Sequence, residues 1–123
     1  MNERLMNTGN TAQGDRPRVL CVCSAGLLRS PTVAWVLSNE PYGFNTRAAG
    51  SHKEYALILV DEVLLAWAER LVFVNKENFE EVSHAFDISQ KQNLVLDIPD
   101  RFKFRDPKLV EIINQQLKKH FTD

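Results

Sequence analysis

Cysteine is scarce in this sequence, and long apolar runs are absent. The 123 residues contain two cysteines, Cys21 and Cys23, which stand too close together to build the cross-linked framework of a small secreted domain. No segment approaches the roughly 20 apolar residues of a membrane-spanning helix, and the start of the chain lacks the apolar core of a signal peptide. We therefore expect a protein of the reducing cytoplasm without a membrane partner.

An excess of charge of one sign and metal-ligand spacing are also missing. The formal net charge is -1, from 15 lysines and arginines against 16 aspartates and glutamates, so the overall electrostatics favour neither nucleic acid nor an anionic surface as a partner. The histidines His52, His84 and His120 do not stand at metal-ligand spacing from one another or from a cysteine. We expect no metal and no organic cofactor, and the sequence does not indicate an oligomeric state.

Length and patterning predict one α/β domain. Residues 1–16 are polar without apolar periodicity, which is typical of a flexible arm, and residues 17–123 have room for one core. Short apolar runs then alternate with amphipathic stretches, which predicts a three-layer, doubly wound sheet of four parallel strands with helices on both faces. The predicted strands are 18–23, 44–48, 71–74 and 93–97, and the predicted helices are 30–39, 61–70, 75–86 and 107–121. Trp35 and Trp67 are expected in the core.

The most informative segment follows the first predicted strand. Its apolar run ends at Cys23, five residues lead to Arg29, and Ser30-Pro31 begin a predicted helix. The unpaired N–H groups and partial positive charge of a helix N-terminus favour a bound anion and the thiolate form of a nearby cysteine. A guanidinium can in addition hold two phosphate oxygens in a planar fork.

This segment predicts a phosphate-binding loop with Cys23 as the nucleophile at its base and Arg29 as the phosphate clamp. Ser30 is placed either to cap the helix or to donate a hydrogen bond to the thiolate. The residues expected to surround the phosphate are Ser24, Ala25, Gly26, Leu27, Leu28, Arg29 and Ser30. The alternative is that both cysteines only pack in the core, and for Cys21 packing is the interpretation that we favour.

The segment from Cys23 to Pro31 resembles the phosphate-binding loop of the low-molecular-weight protein tyrosine phosphatases. Weaker similarities to that family follow at Ala48 to Ser51, at Trp67 to Val74 and at Asp97 to Asp100, so the resemblance covers most of the chain after the arm. It implies the α/β fold of the family and a reaction through a cysteinyl-phosphate intermediate. At the position of Gly26 the family usually has an asparagine whose side chain holds the shape of the loop, and glycine supplies no such clamp.

The resemblance also implies a general acid, for which three aspartates are candidates. Asp100 follows Ile98-Pro99 at the position that matches the family pattern, and it is the residue that we favour. Asp97 stands at the predicted end of the fourth strand and is an alternative. Asp106-Pro107 imitates the dipeptide of the family, but an aspartate directly before a proline is more typical of a helix N-cap.

Together these features predict a phosphomonoester hydrolase of the protein-tyrosine-phosphatase type, with Cys23, Arg29 and Asp100 as its catalytic residues. The expected substrate is a phosphotyrosine-containing protein or a small aryl phosphate. A module that binds phosphate or a phosphopeptide without turnover is one alternative, and a phosphocarrier is another, although carriers generally lack the arginine. An arsenate reductase is less favoured, because such enzymes need further reactive cysteines and none follows Cys23.

Overall fold

Strands and helices alternate along the fold. The computed structural model describes residues 16–24, 29–40, 42–52, 58–99 and 103–121, so residues 1–15 of the predicted arm lie outside the described residues. The elements in chain order are β1 (Arg18–Cys23), α1 (Arg29–Ser38), β2 (Asn45–Gly50), α2 (Glu62–Trp67), β3 (Arg70–Phe73), α3 (Lys76–Ala85), β4 (Gln92–Val95) and α4 (Pro107–Phe121). Every predicted strand and helix is present, and β1 and α4 have the predicted bounds.

All four strands are parallel and lie in the order β2-β1-β3-β4. β1 is an interior strand, with Cys23 opposite Gly50 of β2 and Val22 opposite Phe73 of β3. The chain therefore leaves β1 for one side and later returns to its other side, which creates a crevice at the carboxyl ends of β1 and β3. Ligands of open α/β sheets bind in crevices of this kind.

Helices cover both faces of the sheet. On one face, Val19, Cys21 and Cys23 of β1 belong to a core with residues of α1 and α4. On the other face, Leu20 and Val22 belong to a core with residues of α2 and α3. Burial on both faces explains why β1 is a continuous apolar run rather than an alternating one. The predicted three-layer, doubly wound architecture is confirmed.

Capping side chains set the starts of α2, α3 and α4, with Asn75 as the cap of α3. Asp61 accepts a hydrogen bond from the N–H of Leu64 at 2.9 Å at the start of α2, and Asp106 accepts one from the N–H of Lys108 at 2.9 Å at the start of α4. α2 ends earlier than predicted, because Ala68 is already extended and leads into β3. Within the described ranges, no helix is both long and apolar enough to cross a bilayer.

Trp35 departs from its predicted place in the core. Its side chain is 36% exposed, and the guanidinium of Arg105 lies 4.6 Å from the centroid of its ring. Trp67 is half-buried and packs against the core that α2 and α3 share with the sheet. The prediction for Trp35 is wrong because a guanidinium stacked on the indole shields its face without any need for burial.

Candidate active site

Cys23 is the last residue of β1 and lies at the crevice, with its side chain only 3% exposed. The N–H of Ser51 donates to the carbonyl oxygen of Cys23 at 2.8 Å, and the N–H of His52 donates to that of Ser24 at 3.0 Å. The hydrogen-bonded ladder between the first two strands thus continues past their ends. It fixes the backbone on which the thiol stands.

The thiol of Cys23 is in contact with a buried hydroxyl. Its Sγ atom lies 3.1 Å from the Oγ atom of Ser30, which is the second residue of α1 and is fully buried. The same hydroxyl donates to the carbonyl oxygen of Ala49 at 3.3 Å. Because a hydroxyl has one hydrogen, Ser30 can accept from a Cys23 thiol while it donates to Ala49, or can turn that hydrogen toward a Cys23 thiolate. Ser30 lies within the helix rather than at its cap.

Arg29 connects the segment after β1 to the segment after β4. It is the first residue of α1, is 7% exposed, and donates from Nη1 to the carbonyl oxygen of Ile98 at 3.1 Å. The N–H of Ile98 in turn donates to the carbonyl oxygen of Val74 at 2.9 Å, directly after β3. A guanidinium has five donors in a planar fork, so the bond to Ile98 is compatible with binding a second group.

The aspartates considered as general acid have different surroundings. Asp97 is exposed, and the amide of Gln116 on α4 clamps its backbone, accepting from its N–H and donating to its carbonyl oxygen, each at 2.7 Å. Asp106 is engaged as the cap of α4. Asp100, the favoured candidate, lies outside the described residues. The same holds for four of the predicted phosphate-binding residues, Ala25, Gly26, Leu27 and Leu28.

A polar network beside Ser24 was missed by the sequence analysis. The Nδ2 atom of Asn78, a fully buried residue in the first turn of α3, donates to Ser24 Oγ at 3.2 Å and to Ser51 Oγ at 3.0 Å. Ser51 Oγ donates to Glu81 Oε1 at 2.7 Å. No sequence motif joins these residues. The available signal was that α3 starts where β3 ends, next to the end of β1.

Cys21 has the packing role expected for it. The residue is fully buried in the core that β1 forms with α1 and α4. Burial, and secondarily the neighbouring Cys23, raise the pKa of the Cys21 thiol well above its ordinary value. A thiol held in its protonated form is a poor nucleophile, because the thiolate is the reactive species.

The described side chains at the crevice combine three chemical functions. They are the thiol of Cys23, the hydroxyl of Ser30 in contact with it, and the guanidinium of Arg29 at the N-terminus of α1. This combination suits an anion bound beside a nucleophile. Among the residues that the structure describes, no group of three or more histidine, cysteine, aspartate or glutamate side chains is arranged to hold a metal ion.

Neither a protein-family model nor a curated protein sequence matches the chain, but solved structures do. The YwlE arginine phosphatase from Geobacillus stearothermophilus is 18% identical, with a TM-score of 0.64, over 84% of this chain and 92% of that one. The tyrosine phosphatase Wzb from Escherichia coli K30 is 16% identical, with a TM-score of 0.67, over 85% and 95%. A low-molecular-weight protein tyrosine phosphatase from T. tengcongensis is 16% identical, with a TM-score of 0.63, over 84% and 99%. The chain therefore has the fold of the low-molecular-weight protein tyrosine phosphatases.

Proposed function

We propose that this protein is a phosphomonoester hydrolase of the protein-tyrosine-phosphatase type that works through a cysteinyl-phosphate intermediate on Cys23. The observation that carries the proposal is the contact of 3.1 Å between Cys23 Sγ and Ser30 Oγ, beside a buried Arg29 at the start of α1. The fold supports it, since neighbours at similar length are tyrosine and arginine phosphatases. A nucleophilic thiol needs a reducing compartment, which supports the cytoplasm as the setting.

In the first step, the thiolate of Cys23 attacks phosphorus. The S–P bond forms as the bond between phosphorus and the aryl oxygen breaks, and the carboxylic acid of Asp100 gives its proton to the leaving oxygen. The guanidinium of Arg29 and the N–H groups at the start of α1 hold the other phosphate oxygens while charge on them develops. The bond from Arg29 to Ile98 supports this step, because it ties the clamp to the segment that leads to Asp100.

In the second step, water attacks the phosphorus of the intermediate. The carboxylate of Asp100 takes a proton from the water, the S–P bond breaks, and inorganic phosphate leaves with the thiolate of Cys23 restored. The hydroxyl of Ser30, 3.1 Å from Sγ, stabilises that thiolate as the leaving group. The loop supplies the positive field for both steps.

The surroundings of the other aspartates support Asp100 as the acid. Asp106 is engaged as a helix cap, and an acid so engaged would have to leave its N–H partner to act. Asp97 is exposed, and its backbone is bound by the side chain of Gln116. Asp100 stands two residues after Ile98, whose carbonyl oxygen accepts from Arg29. The leaving group that we expect is a phenol, either of a phosphotyrosine-containing protein or of a small aryl phosphate.

The proposal is tested by the hydrolysis of p-nitrophenyl phosphate between pH 4 and 8, with the parent protein and three alanine variants in parallel. Asp100→Ala is expected to lower kcat by about 100-fold or more, the usual contribution of a general acid. Asp97→Ala and Asp106→Ala are expected to stay within about tenfold of the parent. Phosphoarginine as a second substrate tests whether a P–N bond is cleaved instead of a P–O bond.

Other outcomes would contradict parts of this proposal. A larger loss in Asp97→Ala than in Asp100→Ala would transfer the role of the acid to Asp97. A parent protein without turnover whose melting temperature rises with phosphate or vanadate would be a binding module or a phosphocarrier rather than a hydrolase.

Ser30→Ala is expected to lower kcat between about tenfold and about 100-fold, because a hydrogen bond to a charged group contributes about 1.5–3 kcal/mol. The matched control is Ser38→Ala on the same helix, whose hydroxyl donates to the carbonyl oxygen of Trp35 at 2.8 Å, away from Cys23. Steady-state kinetics of both variants provide the measurement. Equal kcat values in the two variants would show that Ser30 does not stabilise the thiolate.

A further inference from the structure

Asn78 is a buried amide that joins α3 to the residue after the nucleophile. Its side chain is 0% exposed, and its Nδ2 atom donates to Ser24 Oγ at 3.2 Å and to Ser51 Oγ at 3.0 Å. Ser24 follows Cys23 directly, and its carbonyl oxygen is held by the N–H of His52. Ser24 is therefore fixed from two sides, through its backbone by the segment after β2 and through its side chain by α3.

The donors and acceptors of this network can be ordered. A carboxylate only accepts, so the hydrogen of the Ser51 hydroxyl is used in the bond of 2.7 Å to Glu81. Ser51 must then accept from Asn78, which spends one amide hydrogen there and the other on Ser24. Asn78 is therefore the donor to both serines, and Ser51 is the donor to Glu81.

The orientation of the Asn78 amide leaves one of its polar atoms without a hydrogen bond, which lowers the stability of the folded state. Its Oδ1 atom is buried and has no hydrogen-bond partner among the described residues. An amide turned around would present Oδ1 to Ser51, whose only hydrogen is already committed to Glu81, and two acceptors would face each other. An unpartnered buried oxygen disfavours the folded state, so the two donor bonds to the serines are what hold the amide in this orientation.

We propose that Asn78 is a positioning residue for the phosphate loop, which acts through Ser24 on the backbone next to Cys23. The inference rests on the proposed function in taking Cys23 as the nucleophile. The loop carries Gly26, which has no side chain to form hydrogen bonds within the loop. The side chain of Ser24, where the loop starts, is held by a hydrogen bond from a neighbouring helix, through a side chain 54 residues away in the sequence.

The test compares Asn78→Ala and Asn78→Asp with a control, Asn45→Ala. Asn45 is also buried, and its Oδ1 atom also lacks a hydrogen-bond partner among the described residues. It starts β2, however, and so lies at the amino ends of the strands, away from the crevice at their carboxyl ends. The readouts are kcat and KM for p-nitrophenyl phosphate and the pH dependence of alkylation of Cys23 by iodoacetamide. The buried, protonated Cys21 should not react, and Cys23→Ser identifies the signal.

Both Asn78 variants are expected to lose about tenfold or more in kcat, since misplacement of a reacting group by about 1 Å can cost about 100-fold. They are also expected to shift the midpoint of alkylation to higher pH, because the backbone next to Cys23 is no longer held beside the helix N-terminus that favours the thiolate. Asn78→Asp keeps the shape of the residue but lacks both donors, so it should be at least as impaired as Asn78→Ala. If Asn78 only packs, Asn78→Ala should be more impaired than Asn78→Asp, and the alkylation profile should equal that of Asn45→Ala. Either result would overturn the inference.

Ser24→Ala removes the same hydrogen bond between Asn78 and Ser24, at a residue that is only half-buried. This variant replaces the Asn78 variants in the test if those do not fold. It should shift the alkylation midpoint in the same direction, and adding Asn78→Ala to it should shift it little further, because coupled residues are not additive. Additive shifts would contradict action through Ser24. Alkylation needs no turnover, so it can be measured even if the parent protein has no phosphatase activity. A midpoint shifted in the Asn78 variants relative to such a parent would support the role of Asn78, although the proposed function would have failed.

Discussion

Cys23→Ser is expected to reduce the hydrolysis of aryl phosphates by about four orders of magnitude or more, the scale seen when a covalent nucleophile is removed. Serine has nearly the shape of cysteine, so the packing of β1 and the contact with Ser30 should survive. A serine hydroxyl, however, ionises far less readily than a thiol and cannot supply the anion that attacks phosphorus. Phosphate release at saturating substrate measures the loss, and phosphate binding to the variant shows that the loop persists.

The matched control for that variant is Cys21→Ala. Cys21 lies on the same strand and belongs to the same core, but it is fully buried and its thiol is kept protonated. We expect Cys21→Ala to lower the melting temperature through the cavity that it leaves, while kcat of the folded protein stays within a few-fold of the parent. An inactive Cys21→Ala together with an active Cys23→Ser would show that Cys21, and not Cys23, is the nucleophile.

Arg29→Lys is expected to lower kcat/KM by about 100-fold to about 1000-fold, although the charge is retained. The guanidinium of Arg29 is buried and donates to the carbonyl oxygen of Ile98, and the planar fork of a guanidinium is the group that holds two phosphate oxygens at once. A lysine ammonium is a compact group that cannot span both partners in one plane. The variant therefore loses the two-point hold on the phosphate together with the connection to the segment before Asp100.

Arg18→Lys is the control for the replacement of a guanidinium that donates to a backbone carbonyl oxygen, at a side chain that is 41% exposed. Arg18 also donates to a backbone carbonyl oxygen, that of Trp67 at 2.6 Å, but it stands at the amino end of β1. We expect this variant to change stability slightly and kcat/KM by less than about threefold. The measurement is kcat/KM of the two variants in parallel. A kcat/KM of Arg29→Lys within tenfold of that of the parent would contradict the role of Arg29 as the clamp.

Features that depend on local chemistry can be predicted from the sequence alone. The apolar run from Val19 to Cys23 predicted a strand over residues 18–23, and the structure has that strand with the same bounds, buried on both faces. Asp106 before Pro107 predicted the start of α4, and the cap is present. In each case a few adjacent residues carry all the information, because side-chain periodicity and capping act within one or two turns of the chain.

Which distant polar groups meet at the crevice depends on the tertiary fold. The order of the strands brings α3 beside Cys23, so Asn78 contacts Ser24 across 54 residues and Ser51 across 27. Gln116 reaches Asp97 in the same way from α4, and Arg105 stacks on the partly exposed Trp35. No local pattern encodes these pairs, because they arise from how parallel strands are ordered and from which helix covers which face. The sequence thus determined the nucleophile candidate and its strand, and the packing of distant elements determined what holds them in place.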